Sequence, residues 1–170
     1  MRIVVLMKQV VNSGQVVFRP DENTGTYMLV RNPAESIMNY DDGNALEIAL
    51  RWKDQNPDTH ITVISMGPPE AEGMLRECLA IGADRAILVT DERIRGADTV
   101  ATANYLACSI KKIGEYDLIL AGYQSQDGRT GQIGPMVAEK LGIPQITYVR
   151  RFYEEAGRLI GIKELDGMVE

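Results

Sequence analysis

Leu118-Ile119-Leu120-Ala121 runs into Gly122-Tyr123-Gln124-Ser125-Gln126-Asp127-Gly128-Arg129-Thr130-Gly131-Gln132-Ile133-Gly134-Pro135. The first four residues are an apolar run. Beyond the loop, Ile133, Met136, Val137 and Leu141 recur at helical spacing. The stretch therefore reads as strand, loop and helix. Gly128, Gly131 and Gly134 let the backbone turn tightly and approach a ligand closely. The amides of Thr130, Gly131, Gln132 and Ile133 fall at the helix start. Amides there lack intrahelical partners and sit at the positive end of the helix dipole, which suits an anion. Arg129 and Thr130 add a fixed positive charge and a hydroxyl. Two readings stay open on this pattern alone: a nucleotide phosphate on the loop, or a capped helix after an ordinary βα connection. The glycine spacing matches neither GxGxxG nor GxxxxGK[ST].

The same alternation extends outward in both directions. Ile3 to Met7 is an apolar, β-branched run of the kind buried on both faces of a parallel sheet. A loop from Lys8 to Gly14 follows it. Val16 to Phe18 and Tyr27 to Val30 flank the turn-rich Asp21-Glu22-Asn23-Thr24-Gly25 and predict a small β-hairpin. Asn39, Asp41 and Asp42 offer caps for a helix with Ala45, Leu46, Ala49 and Leu50 on one face. Ile61 to Ser65 is the next strand, and Ala71, Met74, Leu75, Cys78 and Leu79 carry the next helix. Ala86 to Val89 is a third strand. Asp98 or Thr99 caps a helix whose inner face holds Ala103, Leu106, Ala107 and Ile110. After the opening unit, Gln145 to Val149 predicts a fifth core strand. Arg151 to Glu155 and Arg158 to Lys163, around Ala156-Gly157, suggest a second exposed hairpin or a linker.

Strands alternating with helices imply right-handed crossovers and a doubly wound parallel sheet, an α/β fold in one domain over residues 1–149. In such sheets a ligand sits outside the strand C-termini, where the strand order switches. The loops Met7 to Asn12, Ser65 to Pro69 and Gly122 to Pro135 are the candidates to meet there.

The totals narrow the functions. The 170 residues, 45% hydrophobic and 25% charged, suit one soluble globular domain. A net charge of −6 argues against nucleic acid as the main partner. Cys78 and Cys108 each fall on the apolar face of a predicted helix, so both read as buried, reduced thiols. One histidine, His60, leaves no His-based triad and no zinc constellation. The apolar run at the N-terminus is too short for a signal peptide or a membrane span, so a cytoplasmic protein with no membrane insertion is expected. Asp41, Asp42 and Asp127 read as caps and turn residues before they read as acid-base groups. Trp52 reads as a partly exposed helix residue.

Several pieces together resemble a known family. They are Met7-Lys8-Gln9-Val10, Asn39 with Asp42-x-x-Ala45-Leu46-Glu47, Ser65-Met66-Gly67-Pro68, Gly82-Ala83-Asp84-Arg85, Ala97-Asp98-Thr99, Tyr116-Asp117-Leu118-Ile119-Leu120 and Asp127-Gly128-x-Thr130-Gly131-Gln132-x-Gly134-Pro135. In this order, from residue 1 to about Val149, they resemble the β (small) subunit of electron transfer flavoproteins, especially its FixA-like branch. The resemblance implies an adenine-nucleotide-binding, Rossmann-like three-layer sandwich. It implies a heterodimer with an α subunit that holds the electron-transferring FAD, and contact with flavin dehydrogenases through the complex. The β subunit of this family binds AMP or, in electron-bifurcating types, a second FAD. Carried onto this chain, the phosphate falls on Thr130, Gly131, Gln132 and Ile133. The adenosine falls near Met7, Asn39, Ser65, Met66 and Gly122, and Asp127 shapes the turn. Family members carry a longer C-terminal part, so residues 150–170 read as the start of a hairpin or linker toward it. Val11-Asn12, Asn39-Tyr40-Asp41-Asp42 and Arg129 depart from the usual pattern. Arg129 puts a positive charge where the family has an acid, beside the implied phosphate. Two functions stay open: an electron-transfer subunit without substrate chemistry of its own, and a stand-alone adenine-nucleotide-binding or hydrolysing domain.

Overall fold

The computed structural model describes residues 1–12, 17–20, 25, 27–30, 36–165 and 168–169. In chain order the elements are β1 (Arg2–Met7), β2 (Gln9–Val11), β3 (Val17–Pro20), β4 (Tyr27–Val30), β5 (Ser36–Met38), α1 (Tyr40–Gln55), β6 (His60–Met66), α2 (Glu72–Ala80), β7 (Arg85–Val89), α3 (Thr99–Ile113), β8 (Leu118–Ala121), α4 (Ile133–Leu141), β9 (Val149–Glu155), β10 (Arg158–Leu165) and β11 (Met168–Val169).

β1 lies inside a parallel sheet of order β7-β6-β1-β8, with Ile3 opposite both Ile61 and Leu118. Side chains alternate across a strand, so the two faces of β1 feed two cores. Ile3, Val5 and Met7 pack with Ala45, Leu46 and Ala49 of α1 and with Met74, Leu75 and Cys78 of α2. Val4 and Leu6 pack with Ala103, Leu106 and Ile110 of α3 and with Val137 of α4. Helices cover both faces, which gives the expected doubly wound, three-layer α/β sandwich. Fully burying each such aliphatic side chain stabilises the fold by about 1.5–3 kcal/mol. Asp98, not Thr99, caps α3: its carboxylate accepts from the Ala101 amide at 2.8 Å.

The structure departs from the sequence reading in three places. The loop after β1 contains a strand: β2 pairs antiparallel with β5, Gln9 opposite Met38 and Val11 opposite Ser36. The expected hairpin is present as β3 and β4, while Val16 and the turn at 21–24 lie outside the described residues. The expected fifth core strand, Gln145 to Val149, does not form: residues 143–147 lie in no strand, and Val149 belongs to β9. Pro144 has no amide to give a ladder. Tyr148 takes φ +57°, which ends an extended run, so pairing begins at Val149 and joins β10 instead. This leaves β8 at the edge of the main sheet. Last, Cys78 is buried but Cys108 is exposed: it follows Leu106 by two residues, about 200° around α3, and faces away from the core.

The expected second hairpin forms from β9 and β10, turning at Ala156 and Gly157, φ +51° and +74°. Phe152 of β9 packs on Trp52 of α1 with ring centroids 4.9 Å apart. Trp52 is half-buried, as expected, and ties the hairpin to α1.

Candidate functional site

β1 leads through α1 to β6 on one side, while β7 returns through α3 to β8 on the other. The strand order thus switches between β1 and β8, and the loop 122–132 leaves β8 at that point. Side chains from the start of α1 and from Lys8, just after β1, pin its first half. Asn39 is fully buried; its Nδ2 donates to the Gln124 carbonyl at 2.9 Å, and its Oδ1 accepts from the Gln126 amide at 3.1 Å. Asp41 Oδ2 accepts from the Gln124 amide at 3.2 Å. Asp42 Oδ2 accepts from the Lys8 amide at 2.9 Å, and the same carboxylate takes the Gly122 amide. Lys8 Nζ donates to Asp127 at 2.6 Å and to Ser125 Oγ at 3.1 Å.

Asn39 and Asp127 were read as a cap and a turn residue, and both prove to hold the loop. Asn39 sits at the N-cap of α1 but makes no side-chain cap bond. Gly122 has to be glycine here. A Cβ on it would lie 2.6 Å from the Asp41 carbonyl carbon and the Asp42 nitrogen, closer than nonbonded atoms approach.

The second half of the loop is left facing outward. The Arg129 amide bonds the Ser125 carbonyl at 2.9 Å, closing a turn, and Arg129 Nε reaches the Gln126 carbonyl at 3.1 Å. Arg129 and Gly131 take φ +49° and +63°. Gln132 is the N-cap of α4 and forms no side-chain cap. Among the described residues the amides of Thr130, Gly131, Gln132 and Ile133 have no hydrogen-bond partner. Four neighbouring donors at a helix start, next to an exposed guanidinium, suit an oxyanion.

The structure brings together Asn39, Gly122, Asp127, Arg129, Thr130, Gly131, Gln132 and Ile133. Met7 is 4% exposed and faces the α1–α2 core. Ser65 is wholly buried with no partner for its Oγ among the described residues. Met66 is half-buried against the α3–α4 core. The loop after β6 approaches through one long contact, Gln9 Nε2 to the Glu70 carbonyl at 3.5 Å. Lys8 was missed as a site residue. A lysine directly after a buried strand, on the edge where the loops converge, was its signal.

The Asp42 and Asp127 carboxyls are shifted in opposite directions. Burial pushes Asp42 up to about 7, against the opposing pull of its bonds to Asn39, Lys8 and Gly122; Asp41 adds repulsion. Burial also acts on Asp127, but the Lys8 ammonium, the Ser125 hydroxyl and the Gly128 amide outweigh it and hold this carboxyl below the usual range. A carboxyl with a raised folded value stabilises most when protonated. That contribution is whole below about pH 4 and is lost as pH rises through about 7. Urea unfolding from pH 5 to pH 8 should therefore show stability falling by about 2 kcal/mol on account of Asp42. In Asp42→Asn the slope over this window should flatten; an unchanged slope would exclude Asp42 as its source.

Another depression lies at the amino edge of the sheet, lined by Met1, Arg2, Asp58, His60, Glu115 and Asp117. Arg2 is already engaged there, its guanidinium with Glu115 and its amide with Asp117 at 2.6 Å. The loop at the carboxyl edge has the unpaired donors and is the better candidate.

A parallel sheet wound on both faces, with a pinned loop of outward amides at its switch point, defines an α/β domain of the dinucleotide-fold class. Within that class the chain belongs to the electron transfer flavoprotein family: the electron transfer flavoprotein domain matches residues 26–170. It is 52% identical over 151 residues to the electron transfer flavoprotein subunit beta of Clostridium acetobutylicum, covering 89% of this chain and 56% of that protein. It is 47% identical over 166 residues to the caffeyl-CoA reductase-Etf complex subunit CarD of Acetobacterium woodii, covering 98% and 62%. Protein FixA of Azorhizobium caulinodans is 43% identical over 169 residues, covering 96% and 58%. The chain thus spans about three-fifths of the length of these relatives. Among the described residues no helix is long and apolar enough to cross a membrane.

Proposed function

We propose that this chain is the nucleotide-binding part of the β subunit of a heterodimeric electron transfer flavoprotein. In this reading it pairs with an α subunit that holds the electron-transferring FAD and binds AMP or a second FAD itself. The complex passes electrons between flavin dehydrogenases and an acceptor in the cytoplasm. The observation that carries the nucleotide assignment is the run of partner-free amides from Thr130 to Ile133.

The residues present fit a nucleotide phosphate. The four amides and the Arg129 guanidinium would meet its oxygens, and Gly131 lets the backbone come close. Lys8, Asn39 and Asp41 fix the loop before the ligand arrives, so little ordering cost falls on binding. A flavin, when bound, supplies the electron-accepting ring. The protein's own work is to bind it, orient it and set its surroundings. Asp41, Asp42 and Asp127 are each engaged in holding the loop, which counts against a role as free general base.

The test is co-expression with an α-type subunit, followed by purification, flavin absorbance and nucleotide assay. A yellow heterodimer that a dehydrogenase reduces, and that releases no phosphate from ATP, is expected. A colourless chain that ignores the α subunit and hydrolyses ATP would replace this reading with the stand-alone hydrolase.

A further inference from the structure

Three carboxylates crowd the loop that would hold an anion. Asp41 and Asp42 bond its first half, and Asp127 lies within it. The whole chain is also acidic, with a net charge of −6. A phosphate approaching Thr130 to Ile133 therefore meets repulsion as well as amide donors. Asp127 is the carboxylate nearest to these amides in the chain. Thr130 follows it by three residues, so the two backbones lie no more than about 11 Å apart. That is comparable to the Debye length of about 10 Å at 0.1 M salt. The Asp127 side chain is 13% exposed, so water and salt screen it poorly.

Protonation does not remove this charge. Burial pushes Asp127 up, but the Lys8 ammonium, the Ser125 hydroxyl and the Gly128 amide outweigh it and keep the group ionised at neutral pH. Lys8 Nζ lies 2.6 Å from Asp127 Oδ1 and 3.1 Å from Ser125 Oγ. The ammonium also rests near the turn, since a Cβ on Gly128 would sit 3.9 Å from it. The turn itself requires no charge. The Ser125 hydroxyl takes the Gly128 amide, and the Ser125 carbonyl takes the Arg129 amide. An asparagine at 127 would accept from the Gly128 amide as the carboxylate does. What the neutral residue would lack is the ion pair with Lys8.

We propose that Lys8 masks the Asp127 carboxylate, and that this cancellation lets the second half of the loop accept a phosphate. The proposal rests on the nucleotide reading above and adds how acidic surroundings admit an anion. Lys8 acts through Asp127 and needs no contact with the ligand.

The test titrates AMP and adenosine into wild type, Lys8→Met, Asp127→Asn and the double variant, at low and high salt, with circular dichroism to confirm folding. Methionine keeps the aliphatic stem and leaves the backbone bond from position 8 to Asp42 in place. Lys8→Met should bind AMP about tenfold more weakly at low salt, the effect of one uncancelled charge at about 10 Å in a protein medium. The loss should shrink at high salt. Asp127→Asn should bind AMP more tightly than wild type, and the double variant should return to near wild type. Adenosine, which carries no phosphate, should not distinguish the four proteins. A double variant as weak as Lys8→Met, or an equal loss for adenosine, would show that Lys8 only holds the loop in shape and would overturn the masking. If Lys8→Met does not fold, Asp127→Asn decides: AMP affinity no tighter than wild type overturns the masking. Each of these results leaves the phosphate on the loop. Wild type that binds AMP no more tightly than adenosine overturns the phosphate reading and the masking together.

Discussion

Gly131→Asp is expected to weaken AMP binding roughly tenfold to a hundredfold, the loss of one charge-assisted hydrogen bond worth about 1.5–3 kcal/mol. The position sits at φ +63°, where aspartate is among the better-tolerated L-residues. A Cβ there meets Tyr123 at ordinary contact distance, 3.6 Å and 3.7 Å, so the chain should still fold. The added carboxylate then stands in the run of amides and repels a phosphate at short range. Arg129→Ala should cost less, because its exposed guanidinium is screened by water and salt. Calorimetric titration checks both variants, with circular dichroism to confirm folding. If a folded Gly131→Asp binds AMP as tightly as wild type, no phosphate sits on this loop.

Gly122→Ala should have the largest effect on stability, a loss of about 1–3 kcal/mol or more from overpacking. The new methyl would lie 2.6 Å from backbone atoms of Asp41 and Asp42, and backbone cannot swing aside as a side-chain tip can. The end of β8 and the start of α1 must separate, which breaks the bonds from Asp41 and Asp42 to the loop. Gly134→Ala is the control. Its Cβ would lie 3.4 Å from the Ala121 methyl, an ordinary contact, and alanine favours the helix by roughly 1 kcal/mol. Urea midpoints at constant slope should fall for Gly122→Ala and hold or rise for Gly134→Ala. Equal midpoints for Gly122→Ala and wild type would show that the tight approach of β8 to α1 is not a real constraint.

The main sheet and its helices were legible because each is written in a local period. Ile3 to Met7 is apolar at every position, and Ala103, Leu106, Ala107 and Ile110 repeat at helical spacing. The outward amide run was legible for the same reason: glycines before an amphipathic segment mark a helix start. What pins the loop was not. Asn39 and Gln124 are 85 residues apart, and the Lys8–Asp127 ion pair spans 119. Local preference gives Asn39, Asp41 and Asp42 to capping, and only the fold shows that a distant loop takes their bonds. The pairing of β2 with β5 is likewise nonlocal and only three residues long. Gln145 to Val149 has strand-like composition, but the backbone at Tyr148 overrides it. Cys108 lies two residues from both Leu106 and Ile110, so helical phase, not its apolar neighbourhood in sequence, sets its exposure.

The central claim is that a nucleotide phosphate rests on the loop from Asp127 to Ile133. Backbone amide NMR shifts of the protein, recorded on adding AMP and separately adenosine, test it most directly. The amide signals of Thr130, Gly131, Gln132 and Ile133 should move with AMP and stay nearly still with adenosine. Movement concentrated at the amino edge of the sheet, around Arg2, His60 and Asp117, with these four amides unmoved, would contradict it.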